Sequence, residues 1–69
     1  MSPEFLKEKR PDLYEKYKES CRLFYEGDEE LADELQFDVK EELFDLFDPS
    51  ENDLDDLTDF CERELGILI

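Results

Sequence analysis

Apolar residues recur at intervals of three and four positions along most of the chain, a spacing that predicts helices. Ser2 and Pro3 have the pattern of an N-cap and a first helical position, and Pro11 must end the short helical turn that they begin. Pro11 also fits the start of a longer helix that reaches to about Glu26, with Gly27 as its C-terminal cap. The apolar stripe of this longer helix consists of Leu13, Tyr14, Tyr17, Cys21 and Phe24.

The next segment can be interpreted as one helix or as two. Apolar residues at four-residue intervals permit a single helix over residues 28–47. Asp38 and Glu41, however, have the spacing of a capping box in which Asp replaces the usual Ser or Thr. We therefore predict two helices, one over residues 28–36 and one over residues 39–47.

A final helix is predicted after Pro49, which disfavours helical geometry at the residue before it. Ser50 or Asn52 can cap this helix, and Gly66 closes it. Residues 67–69 are wholly apolar, so we expect them to pack back on the bundle or to join a second copy. The inward stripe of the helix consists of Leu54, Leu57, Cys61 and Leu65.

These elements predict an all-α fold, a small single-domain bundle of four or five short helices that spans residues 1–69. A chain of 69 residues makes one domain at most. Domains of this size bury only about 60% of the surface that the unfolded chain exposes, so we expect a thin core.

Cys21 and Cys61 both fall on apolar faces of predicted helices, where a free cysteine behaves as a small buried hydrophobe. We expect two structural thiols in a reducing cytoplasm, because disulfide scaffolds of this length carry more cysteines. The alternative is one bridge between the first and last long helices. Neither a signal peptide nor a run of about 20 apolar residues is recognisable, so a cytoplasmic protein is expected.

Charge is distributed unevenly along the chain. Residues 1–25 carry five acids and six bases, whereas residues 26–69 carry eighteen acids and two bases, Lys40 and Arg63. The charge-balanced N-terminal helices are therefore followed by strongly acidic ones, and almost the whole net charge of −15 belongs to the second group. Such a field repels nucleic acid and anionic membrane and attracts basic surfaces.

Part of the acidic charge recurs every fourth residue, at Glu30, Glu34, Asp38 and Glu42. Like charges at this spacing weaken a helix by roughly 0.2–0.5 kcal/mol for each pair. A small domain that accepts this cost, with almost no nearby Lys or Arg, indicates that the charge has a use. Solubility alone is the competing interpretation.

Catalytic and metal chemistry have little support in the sequence. The chain has no His and only two glycines, so it lacks both the usual proton shuttle and a glycine-rich phosphate loop. The window from Asp48 to Asp59 has the length of a calcium-binding EF-hand loop, but Asp53 stands where the sharp turn needs glycine. We expect no enzyme activity, no cofactor and no specific calcium site.

Direct binding of nucleic acid is opposed by the net charge. In size, acidity and helical pattern, residues 26–69 resemble the small phage or mobile-element inhibitors that imitate DNA. That resemblance is compositional, and such proteins share no fold, so it assigns no residue. It implies a cytoplasmic protein of the host cell, if the chain is encoded by a phage.

The leading hypothesis is a non-enzymatic acidic inhibitor that covers the basic nucleic-acid-binding surface of a partner protein. The partner would be a nuclease, polymerase, repressor or defence complex, and an antitoxin or chaperone of one basic protein is a related option. Two phenylalanines that fit the helical pattern poorly could add apolar contact. The candidate partner-binding residues are Asp28, Glu30, Glu34, Phe37, Asp38, Glu41, Glu42, Phe44, Asp45, Asp48, Asp55, Asp56 and Asp59.

The alternative is a small helical adaptor, or a homodimer, whose recognition is apolar and whose acids lie only on the rim. In that case residues 67–69 and the apolar stripe of the last helix would supply the binding energy. Salt separates the two hypotheses, because charge-driven binding weakens as ionic strength rises.

Overall fold

The computed structural model describes residues 1–67, and within this range the secondary structure consists of four helices and no strand. The all-α prediction is confirmed. No helix among these residues combines the length and the apolar character needed to cross a membrane. The helices are α1 (Pro3–Lys9), α2 (Pro11–Tyr25), α3 (Glu29–Leu46) and α4 (Glu51–Glu64).

The predicted N-terminal caps have a clear physical basis in the structure. The Ser2 side chain accepts a hydrogen bond of 3.2 Å from the backbone N–H of Phe5, and Pro3 occupies the first turn of α1. Of the two candidate caps for α4, Ser50 is the one used. Its hydroxyl accepts from the backbone N–H of Asp53 (3.2 Å), whose carboxylate accepts from the N–H of Ser50 (3.1 Å). This reciprocal pair is a capping box.

Three of the helices, α2, α3 and α4, are followed by a residue with a positive φ. Gly27 has a φ of 94°, and the next N–H donates to the carbonyl of Leu23 (2.9 Å), as in a Schellman motif. Gly66, with a φ of 78°, ends α4 similarly. At the end of α3 the left-handed position is occupied by Asp48, with a φ of 48°. Since a residue with a side chain disfavours the left-handed conformation, the backbone of the turn after α3 is the most strained of the three.

The prediction of two helices over residues 28–47 is wrong, because α3 is continuous over eighteen residues. Ala32, Val39 and Leu43 lie on one side of α3 and are each at most 2% exposed, so the buried stripe runs across the supposed break. An interruption there would leave backbone N–H and C=O groups without partners. Asp38 caps nothing and is exposed in mid-helix.

The core is organised around α2. This helix packs against α1, α3 and α4, whereas no Cα atom of α3 lies within 8 Å of one in α4. The hydroxyl groups of the two core tyrosines are satisfied, Tyr14 by the carboxylate of Glu64 and Tyr17 by the hydroxyl of Thr58 at 2.7 Å. The buried cluster consists of Leu6, Leu13, Tyr14, Tyr17, Cys21, Val39, Leu43, Leu57 and Cys61.

Both cysteines are free and buried in this cluster, as their apolar positions predict. The neighbouring Cys21 thiol and burial raise the pKa of Cys61 above its usual range, whereas the pKa of Cys21 is lowered, chiefly by its interaction with Cys61. Because both side chains are buried in the core, the two thiols act as packing groups between α2 and α4.

Glu64 connects the C-terminal end of α4 to the N-terminal half of the chain. Besides accepting from Tyr14, its carboxylate forms an ion pair of 3.0 Å with Lys7 on α1. These hydrogen bonds from Tyr14 and Lys7 lower the pKa of Glu64 below its usual value.

Cap chemistry provides a test of the continuous α3. We expect Asp38→Ala to leave the free energy of unfolding unchanged or to raise it by up to about 1 kcal/mol, through better helix propensity and less repulsion. Ser50→Ala, which removes a real cap, should lower it by about 1 kcal/mol. Urea denaturation followed by circular dichroism measures both. A loss for Asp38→Ala as large as that for Ser50→Ala would favour two helices.

The Glu64 contacts predict a pH dependence. Because its pKa is lower in the folded state than in the unfolded chain, the carboxylate contributes stability at neutral pH that disappears as pH falls below about 4. Glu64→Gln should therefore be less stable than wild type at pH 7 and similar at pH 3, in urea denaturation. Glu8→Gln, at an exposed α1 position, is the control and should change little. An equal deficit for Glu64→Gln at both pH values would contradict the assignment.

Candidate partner-binding surface

All thirteen predicted partner-binding residues are exposed, but they do not form one continuous surface. Eight of them lie on α3, three lie on α4, and two lie at the ends of α3. Asp28 is the N-cap of α3 without a side-chain capping bond, and Asp48 is the left-handed residue after it. The eight on α3 are Glu30, Glu34, Phe37, Asp38, Glu41, Glu42, Phe44 and Asp45, and the three on α4 are Asp55, Asp56 and Asp59.

Phe37 and Phe44 are the two aromatic residues of the surface on α3. They are 63% and 48% exposed, and Phe37 is the most exposed apolar residue of this helix. Seven residues correspond to about two helical turns, so the rings lie on the same side of α3, about 10.5 Å apart along its axis. Glu30 and Glu41 lie on this side too. We call Glu30, Glu34, Phe37, Glu41 and Phe44 the outer face of α3.

The four-residue acidic series does not stay on that face. Each step of four residues turns about 40° beyond a full helical turn, so three steps carry the series about 120° around the axis. Its first members, Glu30 and Glu34, are on the outer face. Its last member, Glu42, has turned toward the N-terminal helices and lies 3.4 Å from the guanidinium of Arg10.

The acids of α4 form a second surface. Asp55, Asp56 and Asp59 are exposed on a helix whose Cα atoms stay more than 8 Å from those of α3. A groove with α2 at its base separates the two, and Asp55 lies at the edge of this groove. The structure therefore brings the α3 residues together and places the α4 residues apart from them.

Basic residues neutralise the N-terminal half and leave the outer face of α3 charged. Within residues 1–67, Glu42 is the one predicted acid that forms an ion pair. Arg22 binds Glu19 and Glu26 on its own helix. Arg10 hydrogen-bonds to Asp12 and lowers the pKa of that carboxyl to about 2. Apart from the pairs of Lys7 with Glu64 and Arg10 with Glu42, the ion-paired Lys and Arg side chains among residues 1–67 bind acids of the N-terminal helices or their ends.

The end of α3 adds to this imbalance. Helix C-termini carry a partial negative charge, which Lys, Arg or His usually offsets. The last turn of α3 has no basic residue, and Asp45 lies in it. The carboxylate of Asp45 is therefore repelled by the partial negative charge at the C-terminus of α3.

Sequence reasoning missed the groove between α3 and α4. It has a volume of about 470 Å³, and its base includes Tyr17 and Cys21 from α2. Phe24 was expected in the apolar stripe of α2, but it is 57% exposed in this groove, next to Tyr25 at 69%. The helical pattern places Phe24 correctly on the inner side of α2, but no neighbouring helix covers it there.

No group of His, Cys, Asp or Glu side chains among residues 1–67 is arranged to hold a metal ion. The window that has the length of an EF-hand loop is a turn followed by the first nine residues of α4. Ser50 and Asp53 are engaged in the capping box of that helix.

Comparison of the chain with models of protein families, with curated proteins and with solved structures gives no match.

The cost of the charge on α3 can be measured at Asp45. Asp45→Lys replaces an unfavourable charge at the C-terminus of the helix by a favourable one, so the free energy of unfolding should rise by about 0.5–1 kcal/mol at low salt. The gain should shrink as salt is added. Asp56→Lys, near the middle of α4, makes the same change of charge away from a helix end and should gain less. Equal gains for the two variants would show that only total charge matters.

Proposed function

We propose that this protein is a non-enzymatic acidic inhibitor that binds the basic, nucleic-acid-binding surface of a partner protein and occludes it. The outer face of α3 makes the central contact, and the remaining predicted acids supply a wider negative field. The partner is a protein that normally holds the phosphates of DNA or RNA, such as a nuclease, polymerase, repressor or defence complex. A phage or mobile element is the proposed origin, and the host cytoplasm the place of action.

A single observation supports this proposal most strongly: α3 exposes two phenyl rings among carboxylates that have no basic partner in residues 1–67. Solubility would explain the carboxylates, but it does not explain Phe37 and Phe44, whose exposure opposes solubility. A core role would explain the rings, but both are exposed and lie outside the buried cluster. Binding to another protein explains both, because interfaces combine aromatic anchors with complementary charge.

The two kinds of group would act differently in such a complex. Unneutralised carboxylates attract a basic surface over several ångströms and raise the rate of association, in a manner that salt screens. Aromatic side chains that become buried at the centre of an interface contribute most to its lifetime. The outer face of α3 has Phe37 at its middle, between Glu34 and Glu41, and Phe44 at one end, so the apolar anchors lie beside charged groups.

The apolar adaptor remains the second candidate, with a changed location. Leu57 and Cys61 are wholly buried in the core, while Leu54 and Leu65 are partly buried against it, so most of the α4 stripe is not accessible to a partner. Leu68 and Ile69, the end of the predicted apolar tail, lie outside the described residues. What favours apolar recognition is the groove between α3 and α4, with its exposed Phe24.

Partners can be captured from a nuclease-treated lysate on the immobilised protein, eluted with a salt gradient and identified by mass spectrometry. A nucleic-acid-binding protein released by moderate salt is the expected result. Its affinity for the chain, and its ability to bind DNA or RNA in the presence of the chain, are then measured with purified proteins. Failure of the chain to displace the nucleic acid would contradict occlusion.

Charge reversal on α3 tests the surface itself. Glu34→Lys combined with Glu41→Lys should weaken binding to the captured partner at least about tenfold and reduce its salt dependence. Glu8→Lys with Glu15→Lys changes the net charge equally at exposed positions of α1 and α2, and should change affinity by less than about threefold. Titration calorimetry at several salt concentrations measures both effects. If the two double variants weaken binding alike, the outer face of α3 is not the contact.

Replacing the rings separates anchoring from charge. Phe37→Ala with Phe44→Ala should weaken the same complex at least about tenfold through faster dissociation, while the salt dependence stays that of wild type. Both side chains are exposed, so circular dichroism should show an unchanged fold. Wild-type affinity in this variant would show that the two rings do not anchor the partner and that the α3 surface acts through charge alone.

A further inference from the structure

The groove between α3 and α4 has the geometry of a helix bundle that lacks one member. Both helices pack against α2, yet their Cα atoms do not come within 8 Å of each other, so the side of α2 between them is left without a cover. In a compact bundle, each long helix buries an apolar stripe against neighbours on both sides. Here the missing neighbour leaves Phe24 and Tyr25 unpacked at the C-terminal end of α2.

The base and the walls of the groove differ in character. Its base is apolar and aromatic, with Tyr17 and Cys21 deep inside and Phe24 above them. Leu54 of α4 and Ile67 extend this apolar lining. A volume of about 470 Å³ is enough to receive several apolar side chains, and such side chains would bury rings that now face water.

Charge decides what kind of molecule fits. The α4 wall presents the carboxylates of Asp55 and Glu62, and the α3 wall presents Lys40, the single basic residue of that helix, with Gln36 beside it. The groove therefore attracts positive groups along its α4 side. A second copy of this chain, with a net charge of −15, would be repelled at the same place.

We propose that this groove binds an amphipathic basic helix of a partner, with its apolar side chains on α2 and its Lys and Arg side chains along α4. Ridges of apolar residues three and four positions apart on the incoming helix would enter the space between α3 and α4. The inference is independent of the proposed occlusion of a nucleic-acid-binding surface, because it concerns a different surface and a partner defined only by its helical pattern and charge.

The probe is a synthetic peptide of about 18 residues with Leu at helical i, i+3, i+4 and i+7 positions and Lys elsewhere, labelled with a fluorophore. Two further peptides serve as controls, one with the same composition in scrambled order and one with Glu in place of Lys. Fluorescence anisotropy at physiological salt should show binding of the patterned basic peptide at least about tenfold tighter than of either control. Equal binding of the scrambled peptide would reveal mere attraction between opposite charges and overturn the proposal.

Matched double variants locate the peptide. Phe24→Ala with Tyr25→Ala removes two exposed rings from the groove and should weaken peptide binding at least about fivefold. Phe37→Ala with Phe44→Ala removes two exposed rings from the outer face of α3 and should change it by less than twofold. If the outer-face variant loses as much as the groove variant, or the groove variant loses nothing, the groove is not the binding site.

Asp55→Lys provides a second variant should the loss of two rings disturb the fold, since Asp55 is exposed on the α4 wall. This substitution should weaken binding of the basic peptide at least about threefold. Wild-type affinity would contradict the placement of the peptide's Lys side chains along α4. Sedimentation analysis of the free protein tests whether a second copy of the chain occupies the groove. A dimer that dissociates when the peptide is added would assign the groove to self-association. These outcomes are separable from those for the captured partner, whose binding depends on Phe37 and Phe44.

Discussion

The packing of three helices on α2 is the interaction on which the rest of this structure depends. Tyr14 and Tyr17 are fully buried in the first half of this helix, and their hydroxyl groups bind Glu64 and Thr58 of α4. On another side of α2, Val39 and Leu43 of α3 fill the core. Because α3 and α4 do not contact each other, α3 is positioned through α2 and α4 through α2 and α1, and both the outer face of α3 and the groove follow from that arrangement.

The thin core explains why the placement of charge matters so much in this protein. A domain of this size has only a few kcal/mol of net stability, so repulsion along α3 is a sizeable fraction of it. Arg10 and Arg22 engage acids of the first two helices, apart from the contact of Arg10 with Glu42. Relief of the repulsion by a basic partner would thus lower the free energy of the folded chain in the complex.

The sequence predicted most of the helix boundaries because these depend on local chemistry. Pro3, Pro11 and Ser50 define starts, and Gly27 and Gly66 define ends, through hydrogen bonds and backbone angles that span only a few residues. The break expected within α3 was wrong for the same reason. The spacing of Asp38 and Glu41 is that of a cap, but it carries no information on tertiary packing. In the structure, apolar residues on both sides of Asp38 are buried against α2.

The candidate site was predictable only in part. Exposure of Phe37 followed from its mismatch with the apolar stripe of α3, a local signal. Exposure of Phe24 did not, since the stripe of α2 includes it, and only the packing of the other helices decides which part of a stripe is covered. The groove likewise depends on the distance between α3 and α4. The spacing of apolar residues along each helix does not determine that distance.

The separation of balanced and acidic segments also gives the folded molecule a direction. With the bases concentrated in α1 and α2 and the unneutralised carboxylates on α3 and α4, the centres of positive and negative charge do not coincide. The protein therefore has an electric dipole moment in addition to its net charge. In the field of a basic surface the molecule rotates as it approaches, and collisions occur more often through α3 and α4 than random tumbling would allow.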